Sequence, residues 1–334
     1  MDTSTIHNNS PFSLSELLRS LSVILSSAVQ DKEVEVLFSL DCSVPNCLRG
    51  DSLRLQQVLL NLAGNAIKFT KQGEVVITVR GLAITAEQAK LEFHVRDTGI
   101  GIAPEMLRDA FSGFTQAEAS TTRCFGGAGL GLTISRELVN MMGGKLEVES
   151  EPGTGSNFYF SVTVERDLDA ESAEINSRKT IAIGSDHPAK VLIVDDNVNA
   201  REMLAAMASS FGWHVETAAS GLDAIRLIET GAISDFPFDV VFIDLMMPGV
   251  DGMETTRRLR QLCHDGRAPV VIMVTAHGRQ YVSESASDAT APVDGYLLKP
   301  LTPSMLLNTV NTITSGRYVV TQRQNYSRTW ELLS

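Results

Sequence analysis

Three short apolar runs in the second half of the chain, Val191–Val194, Val240–Ile243 and Val270–Val274, constrain the fold more than any other feature. Each is too short for a helix, rich in β-branched residues, and apolar without alternation, which predicts strands covered on both faces. Helical patterns at Ala200–Ser210, Gly221–Glu229 and Met253–Leu262 fill the gaps between them. Strand and helix in alternation predict a doubly wound parallel sheet, whose site lies at the carboxyl ends of its strands.

At those ends stand Asp195 and Asp196, then Asp244, then Thr275, then Lys299 ahead of Pro300. A single carboxylate at a strand end usually caps a helix or closes a turn. Three that converge with no basic neighbour but Lys299 repel one another, and a hard divalent cation resolves that repulsion. Oxygen ligands with an open shell favour Mg²⁺.

This set resembles the receiver domain of bacterial response regulators, over roughly residues 190–315. The context Asp244-Leu245-Met246-Met247-Pro248-Gly249-x-Asp251-Gly252 carries the resemblance most closely. It implies a five-stranded sheet in which Asp195, Asp196 and Asp244 hold Mg²⁺ and Asp244 is the phosphoacceptor. Thr275 and Lys299 would bond the phosphoryl oxygens. Tyr296, three residues before the lysine, falls on the aromatic switch position, with Thr275 as its partner in switching.

The first half is organised around Asp51–Thr70, DSLRLQQVLLNLAGNAIKFT, which reads as one amphipathic helix. Arg54, Gln57, Asn61, Asn65 and Lys68 recur at spacings of three and four and share a face, with Leu53, Leu59, Leu60, Leu62, Ala66, Ile67 and Phe69 around the rest. A solvated stripe is the plain reading. Two asparagines four apart can also hold a hydrated cation or a phosphate, with Lys68 adding positive charge one turn on.

Ahead of this helix, residues 1–12 are polar, and Ser13 with Glu16 has the spacing of a capping box opening a helix to about Val29. Val34, Val36 and Phe38 alternate as a strand, and 41–50 reads as a loop. Behind it, Gly73–Arg80 and Lys90–Arg96 predict two antiparallel strands joined by a helix-leaning connector. The second strand runs into Asp97-Thr98-Gly99-Ile100-Gly101, a turn that leaves a carboxylate at a strand end and permits close backbone approach. Residues 103–125 are polar and aperiodic, with Phe111 and Phe114 set three apart. A segment of that length inside a compact domain is usually functional, a lid being one of the options. Gly126-Gly127-Ala128-Gly129-Leu130-Gly131 then feeds a helix to Met142, an arrangement that presents backbone N–H groups to phosphate. A strand, Gly153-Thr154-Gly155-Ser156 and a closing strand to about Val164 follow.

In this order the segments resemble the N box, the glycine boxes, the F box and the lid of the histidine-kinase ATP-binding domain, whose wider family includes DNA gyrase and MutL. The resemblance implies an N-terminal α/β sandwich over residues 1–165 that binds ATP and Mg²⁺. Asp97 would accept the exocyclic amine of adenine, and Asn65 would coordinate Mg²⁺ with Asn61 in support. Lys68 and Arg123 would offset phosphate charge, and Phe69, Gly99, Gly101, Gly127, Gly129, Leu130, Gly131 and Thr154 would complete the site. Cys124 and Ala128 depart from the family's usual Lys or Arg and Thr or Ser, leaving Arg123 as the lid cation. Residues 166–189 read as a linker with a short strand at Thr180–Ile183, and 316–334 as a polar tail.

A net charge of −12 in 334 residues argues against a nucleic-acid groove or an anionic membrane surface and directs the search to protein and cation partners. Cys42, Cys47, Cys124 and Cys263 lack zinc spacing and read as free thiols of a cytoplasmic chain, whose parent protein can still be membrane-anchored. An ATP-binding domain followed by a receiver resembles the C-terminal part of a hybrid sensor histidine kinase. Such a kinase passes a phosphoryl group from ATP to a histidine on a helical hairpin and then to the receiver aspartate. No histidine here has the hairpin's flanks: His264-Asp265-Gly266-Arg267-Ala268-Pro269 is broken by Gly266 and Pro269, and His7 and His94 lack the motif. The expected partners are therefore a histidine-containing phosphotransfer domain or a separate kinase hairpin, and a downstream response regulator. A non-catalytic module acting as a phosphate sink and a stand-alone ATPase of the gyrase kind are the alternatives.

Overall fold

The computed structural model describes residues 9–29, 32–41, 43–110, 130–172, 188–230, 238–263, 268–275, 292–299, 301–314 and 319–320. They belong to two compact units, Met1–Lys179 and Thr180–Ser334.

The first unit runs β1 (Ser10–Ser13), α1 (Leu14–Ala28), β2 (Glu33–Leu40), β3 (Cys47–Gly50), α2 (Ser52–Phe69), β4 (Gln72–Ile84), β5 (Gln88–Asp97), α3 (Pro104–Ala110), α4 (Leu130–Met141), β6 (Leu146–Glu151) and β7 (Gly155–Arg166). Its sheet has the order β1-β3-β7-β5-β4-β2, with β6 paired to β7 as well. The pairings are antiparallel except that of β2 with β4. Period-two alternation buries one face: Leu91, Phe93 and Val95 of β5 lie in a core shared with Leu14, Leu18 and Leu21 of α1 and Leu55, Leu59 and Leu62 of α2. Helices on one face and a polar face opposite make the expected α/β sandwich.

The serine half of the predicted capping box forms, the Ser13 hydroxyl accepting from the Glu16 N–H at 3.2 Å, while the Glu16 carboxylate pairs with Arg19. Helix α2 opens on Asp51, one of whose oxygens accepts from the Arg54 N–H at 3.0 Å while the other pairs with the Arg54 guanidinium at 3.1 Å. Three local expectations change. The connector after Arg80 is not helix-leaning; β4 and β5 extend as a ladder to Ile84 and Gln88, with an irregularity between Gly81 and Ala83. Its alanines suit a helix, but burying Ala89 and Leu91 in the sheet outweighs that weak preference. The 41–50 loop contains β3, and the N-terminal polar segment contributes β1, which pairs with it along Ser10↔Gly50 to Ser13↔Cys47.

The second unit runs β8 (Lys190–Val194), α5 (Val198–Ser210), β9 (His214–Ala218), α6 (Gly221–Thr230), β10 (Val240–Asp244), α7 (Gly252–Leu262), β11 (Val270–Thr275), β12 (Gly295–Leu298), α8 (Pro303–Thr314) and β13 (Val319–Val320). All its described pairings are parallel, in the order β13-β12-β11-β10-β8-β9. The apolar runs are explained by two cores. Val241 and Ile243 of β10 lie in one, with Leu192 and Val271, while Val240 and Phe242 lie in the other, with Ile193 and Ile272. The five expected strands are joined by β13, from the segment read as a tail, which pairs Gly295↔Val319 and Tyr296↔Val320.

Candidate functional site

In the second unit, β8, β10, β11 and β12 deliver Asp195, Asp244, Thr275 and Lys299 to one end of the sheet, as parallel register requires. The Lys299 ammonium stands 2.8 Å from a carboxylate oxygen of Asp195 and 2.8 Å from one of Asp244. All three side chains are buried, and Thr275 beside them is 1 % exposed. Backbone N–H groups hold the remaining carboxylate oxygens: Asn197 donates to Asp195 at 2.9 Å and Met246 to Asp244 at 2.8 Å. The Lys299 N–H donates to the Thr275 carbonyl at 2.8 Å, which fixes the root of the lysine. A Cβ on Gly252 would lie 2.3 Å from the Asp244 carbonyl oxygen, so helix α7 can start this close only with glycine there.

Asp196 is exposed. Among the described residues no group of three acidic, histidine or cysteine side chains stands gathered for a metal ion; Asp195 and Asp244 close on Lys299 instead. The donor set is nonetheless all carboxylate oxygen, and three carboxylates against one ammonium leave two negative charges, which fits a hard divalent cation. Tyr296 is 3 % exposed, and its buried hydroxyl has no hydrogen-bond partner among the described residues.

In the first unit, α2 supplies Asn61, Asn65, Lys68 and Phe69, and the end of β5 supplies Asp97. Asp97 is 6 % exposed and accepts from the Gly99 N–H at 2.8 Å. Burial pushes its carboxyl above the ordinary value, against the backbone N–H groups of Gly99 and Ser156, which pull the other way. The helix and the glycine turn are tied together: the Phe69 carbonyl accepts from the Ile100 N–H at 3.4 Å, and a Cβ on Gly99 would lie 2.6 Å from that carbonyl. Gly101 has a φ of +67°, and its Cβ would meet the Glu151 carbonyl at 2.0 Å. Thr154 is exposed in the turn between β6 and β7, and Lys68 lies over the Phe69 ring at 5.3 Å.

Asn61 and Asn65 are half-buried, as the polar stripe requires, while Gln57 and Lys68 reach solvent. An open depression along α2 is lined by Leu53, Gln56, Gln57, Leu60 and Asn61. Gly131 sits in the first turn of α4, against the Asn61 amide. Arg123, Gly127 and Gly129, together with Phe111, Phe114, Cys124 and Ala128, lie outside the described residues, and of Leu130 only the backbone is described.

Three residues were missed by sequence reasoning. Lys32 donates to the carbonyls of Ile67 at 2.6 Å and Lys68 at 3.3 Å, closing the C-terminus of α2. Ser135 accepts from the Asn61 amide at 2.7 Å. Ser150 accepts from the Ile102 N–H at 2.8 Å and meets Ser156 at 2.9 Å, joining the turns after β5 and β6. None has a spacing signature, because the contacts of Lys32 with Ile67, Ser135 with Asn61 and Ser150 with Ile102 span 35, 74 and 48 positions.

Residues 50–166 match the family described as histidine kinase-, DNA gyrase B- and HSP90-like ATPases, and residues 191–311 match the response regulator receiver domain. The chain is 33 % identical over 89 % of its length to the autoinducer 2 sensor kinase/phosphatase LuxQ of Vibrio parahaemolyticus, spanning 34 % of that protein. It is 31 % identical over 90 % of its length to the sensory/regulatory protein RpfC of Xanthomonas campestris, spanning 44 % of it. It is 31 % identical over 75 % of its length to hybrid signal transduction histidine kinase K of Dictyostelium discoideum, spanning 21 % of it. The chain thus spans less than half the length of each. ATP binding follows from the ATPase domain at the level of the family. An ATPase domain of the histidine-kinase type followed by a response regulator receiver domain is what the chain consists of over these residues, and in that order it matches the C-terminal part of hybrid sensor histidine kinases.

Proposed function

We propose that this chain works in a two-component phosphorelay, binding Mg-ATP as phosphoryl donor in residues 1–165 and accepting a phosphoryl group on Asp244 in residues 190–315, with 166–189 as linker and 316–334 as tail. The observation that carries the reading is the buried Lys299 ammonium held between Asp195 and Asp244 at 2.8 Å each. An ion pair this buried is poor evidence of stability, since apolar residues of the same volume often serve as well. It suits a site that must exchange one anion for another.

In the first unit Asp97 accepts the exocyclic amine of adenine, and the tie between Gly99 and Phe69 sets the distance from that carboxylate to the asparagines of α2. Asn65, supported by Asn61, would hold Mg²⁺ on the phosphates. Lys68 and Arg123 offset the phosphate charge, and Phe69, Gly101, Gly127, Gly129, Leu130, Gly131 and Thr154 surround the nucleotide. The acceptor of the phosphoryl group is a histidine on a hairpin or phosphotransfer domain.

In the second unit a carboxylate oxygen of Asp244 attacks the phosphorus of that phosphohistidine. The P–N bond breaks, and the imidazole, protonated at its other nitrogen, leaves neutral with the electron pair. Asp195, Asp196 and Asp244 would hold Mg²⁺, which supplies neutralisation of the charge gathered on the phosphoryl oxygens. Lys299 and Thr275 bond those oxygens, and Tyr296 with Thr275 reports the change to a response regulator downstream. Incubation with acetyl phosphate and Mg²⁺ labels the wild type and leaves Asp244→Asn unlabelled; label that survives the substitution refutes the assignment.

A further inference from the structure

We propose that Ser135 is a positioning residue for the Mg-ATP site, holding the side chain of Asn61 in place against the helix that follows the glycine box. The inference rests on the reading of the first unit as a nucleotide site. Asn61 lies on α2 and Ser135 one turn into α4, the helix that the glycine box opens. The Asn61 Nδ2 donates to Ser135 Oγ at 2.7 Å, and Ser135 is 1 % exposed. With the amide nitrogen committed there, the oxygen is the end left to face Gly131, where a Cβ would come within 2.4 Å of Oδ1.

A primary amide has a donor end and an acceptor end that differ little in shape, so packing alone does not choose between them. A serine hydroxyl can donate as well as accept, so what the bond to Ser135 fixes is the position of the Asn61 side chain between the two helices. The serine thus holds Asn61 in one place on the helix face it shares with Asn65, four residues on, which would hold the Mg²⁺. The Asn61–Ser135 bond also joins the helix bearing the asparagines to the helix that follows the glycine box, so the two halves of a phosphate site share one registration point.

The test is calorimetric titration of the full chain with ATP, with and without Mg²⁺, for wild type, Ser135→Ala, Ser135→Thr, Asn61→Ala and the Ser135→Ala/Asn61→Ala pair, each checked by its melting curve. Loss of one hydrogen bond predicts about a tenfold weaker Mg-ATP affinity in Ser135→Ala. Affinity for ATP in chelator should change by less than about twofold, since only the cation-bearing interaction is disturbed. Ser135→Thr, which keeps the hydroxyl, restores Mg-ATP affinity, and Ser135→Ala adds nothing to Asn61→Ala in the double variant. If Ser135→Ala fails to fold, Ser135→Cys, of similar size and a weak acceptor, takes its place. Wild-type affinity in the serine variant, equal loss with and without Mg²⁺, or an additive double variant overturns the proposal. A wild type that binds no nucleotide overturns the reading of the site and the proposal with it.

Discussion

Lys299 and Asp244 form a buried ion pair of 2.8 Å at the carboxyl ends of β12 and β10, two strands of one parallel sheet with β11 between them, and Asp195 shares the same ammonium at the same distance. Removing the ammonium leaves two buried carboxylates with no countercharge between them. Lys299→Met should therefore destabilise the second unit by about 3–5 kcal/mol, the usual result of breaking a buried pair from one side. Added Mg²⁺ should recover more stability in the variant than in wild type. Urea unfolding with and without Mg²⁺ measures both, and an unchanged midpoint contradicts the electrostatic account.

Asp97 carries a pH signature. Burial raises its pKa, so the folded state holds the proton more tightly than the unfolded chain does. The stability this gives is complete below the unfolded pKa and is lost as pH rises through the folded one. Asp97→Asn has no such loss. Its unfolding midpoint should match wild type below about pH 4 and exceed it at neutral pH, while adenine-nucleotide affinity falls at least about tenfold. Melting curves across pH, with a nucleotide titration at neutral pH, check the pair.

The Tyr296 hydroxyl is buried without a partner among the described residues. Such a group costs about 1–3 kcal/mol, which biases the ring towards any state that lets the hydroxyl reach water. Tyr296→Phe should stabilise the second unit by about 1 kcal/mol. Chemical denaturation reads this directly, and a destabilised variant would show that the hydroxyl is satisfied in solution.

Gly252 is tested by a single methyl group. Its Cβ would lie 2.3 Å from the Asp244 carbonyl and 2.8 Å from the Met273 sulfur. The sulfur can move, but the carbonyl belongs to the backbone of Asp244 itself. Gly252→Ala should cost about 1–3 kcal/mol and slow labelling by acetyl phosphate, whereas Gly249→Ala, strained by its φ of +80° but open around its Cβ, should slow labelling far less. Equal labelling rates in the two would remove the steric argument.

Much of the second unit was legible in advance because a parallel sheet writes its burial into consecutive residues. Val240, Val241, Phe242 and Ile243 alternate between two cores, so the run had to be apolar throughout. The carboxylates at its ends were visible for the same reason. What sequence could not give was closure. Nothing in the spacing of Asp195 and Lys299, 104 positions apart, says that the lysine sits between the acids, or that Asp196 turns outward. In the first unit the polar stripe of α2 was plain, but Ser135 and Lys32 were not, since each acts only through contacts distant in sequence. The misread connector after Arg80 shows the opposite failure, where local helix preference lost to the ladder that buries Ala89 and Leu91.

That this chain joins an Mg-ATP donor site to a receiver aspartate reached through a separate histidine is tested, at its donor end, by titrating Mg-ATP into wild type, Asn65→Ala and Asp244→Asn in a calorimeter. The account predicts one nucleotide per chain in wild type, none detectable in Asn65→Ala, and wild-type affinity in Asp244→Asn. Wild-type affinity in Asn65→Ala, or no binding to the wild type itself, would contradict it.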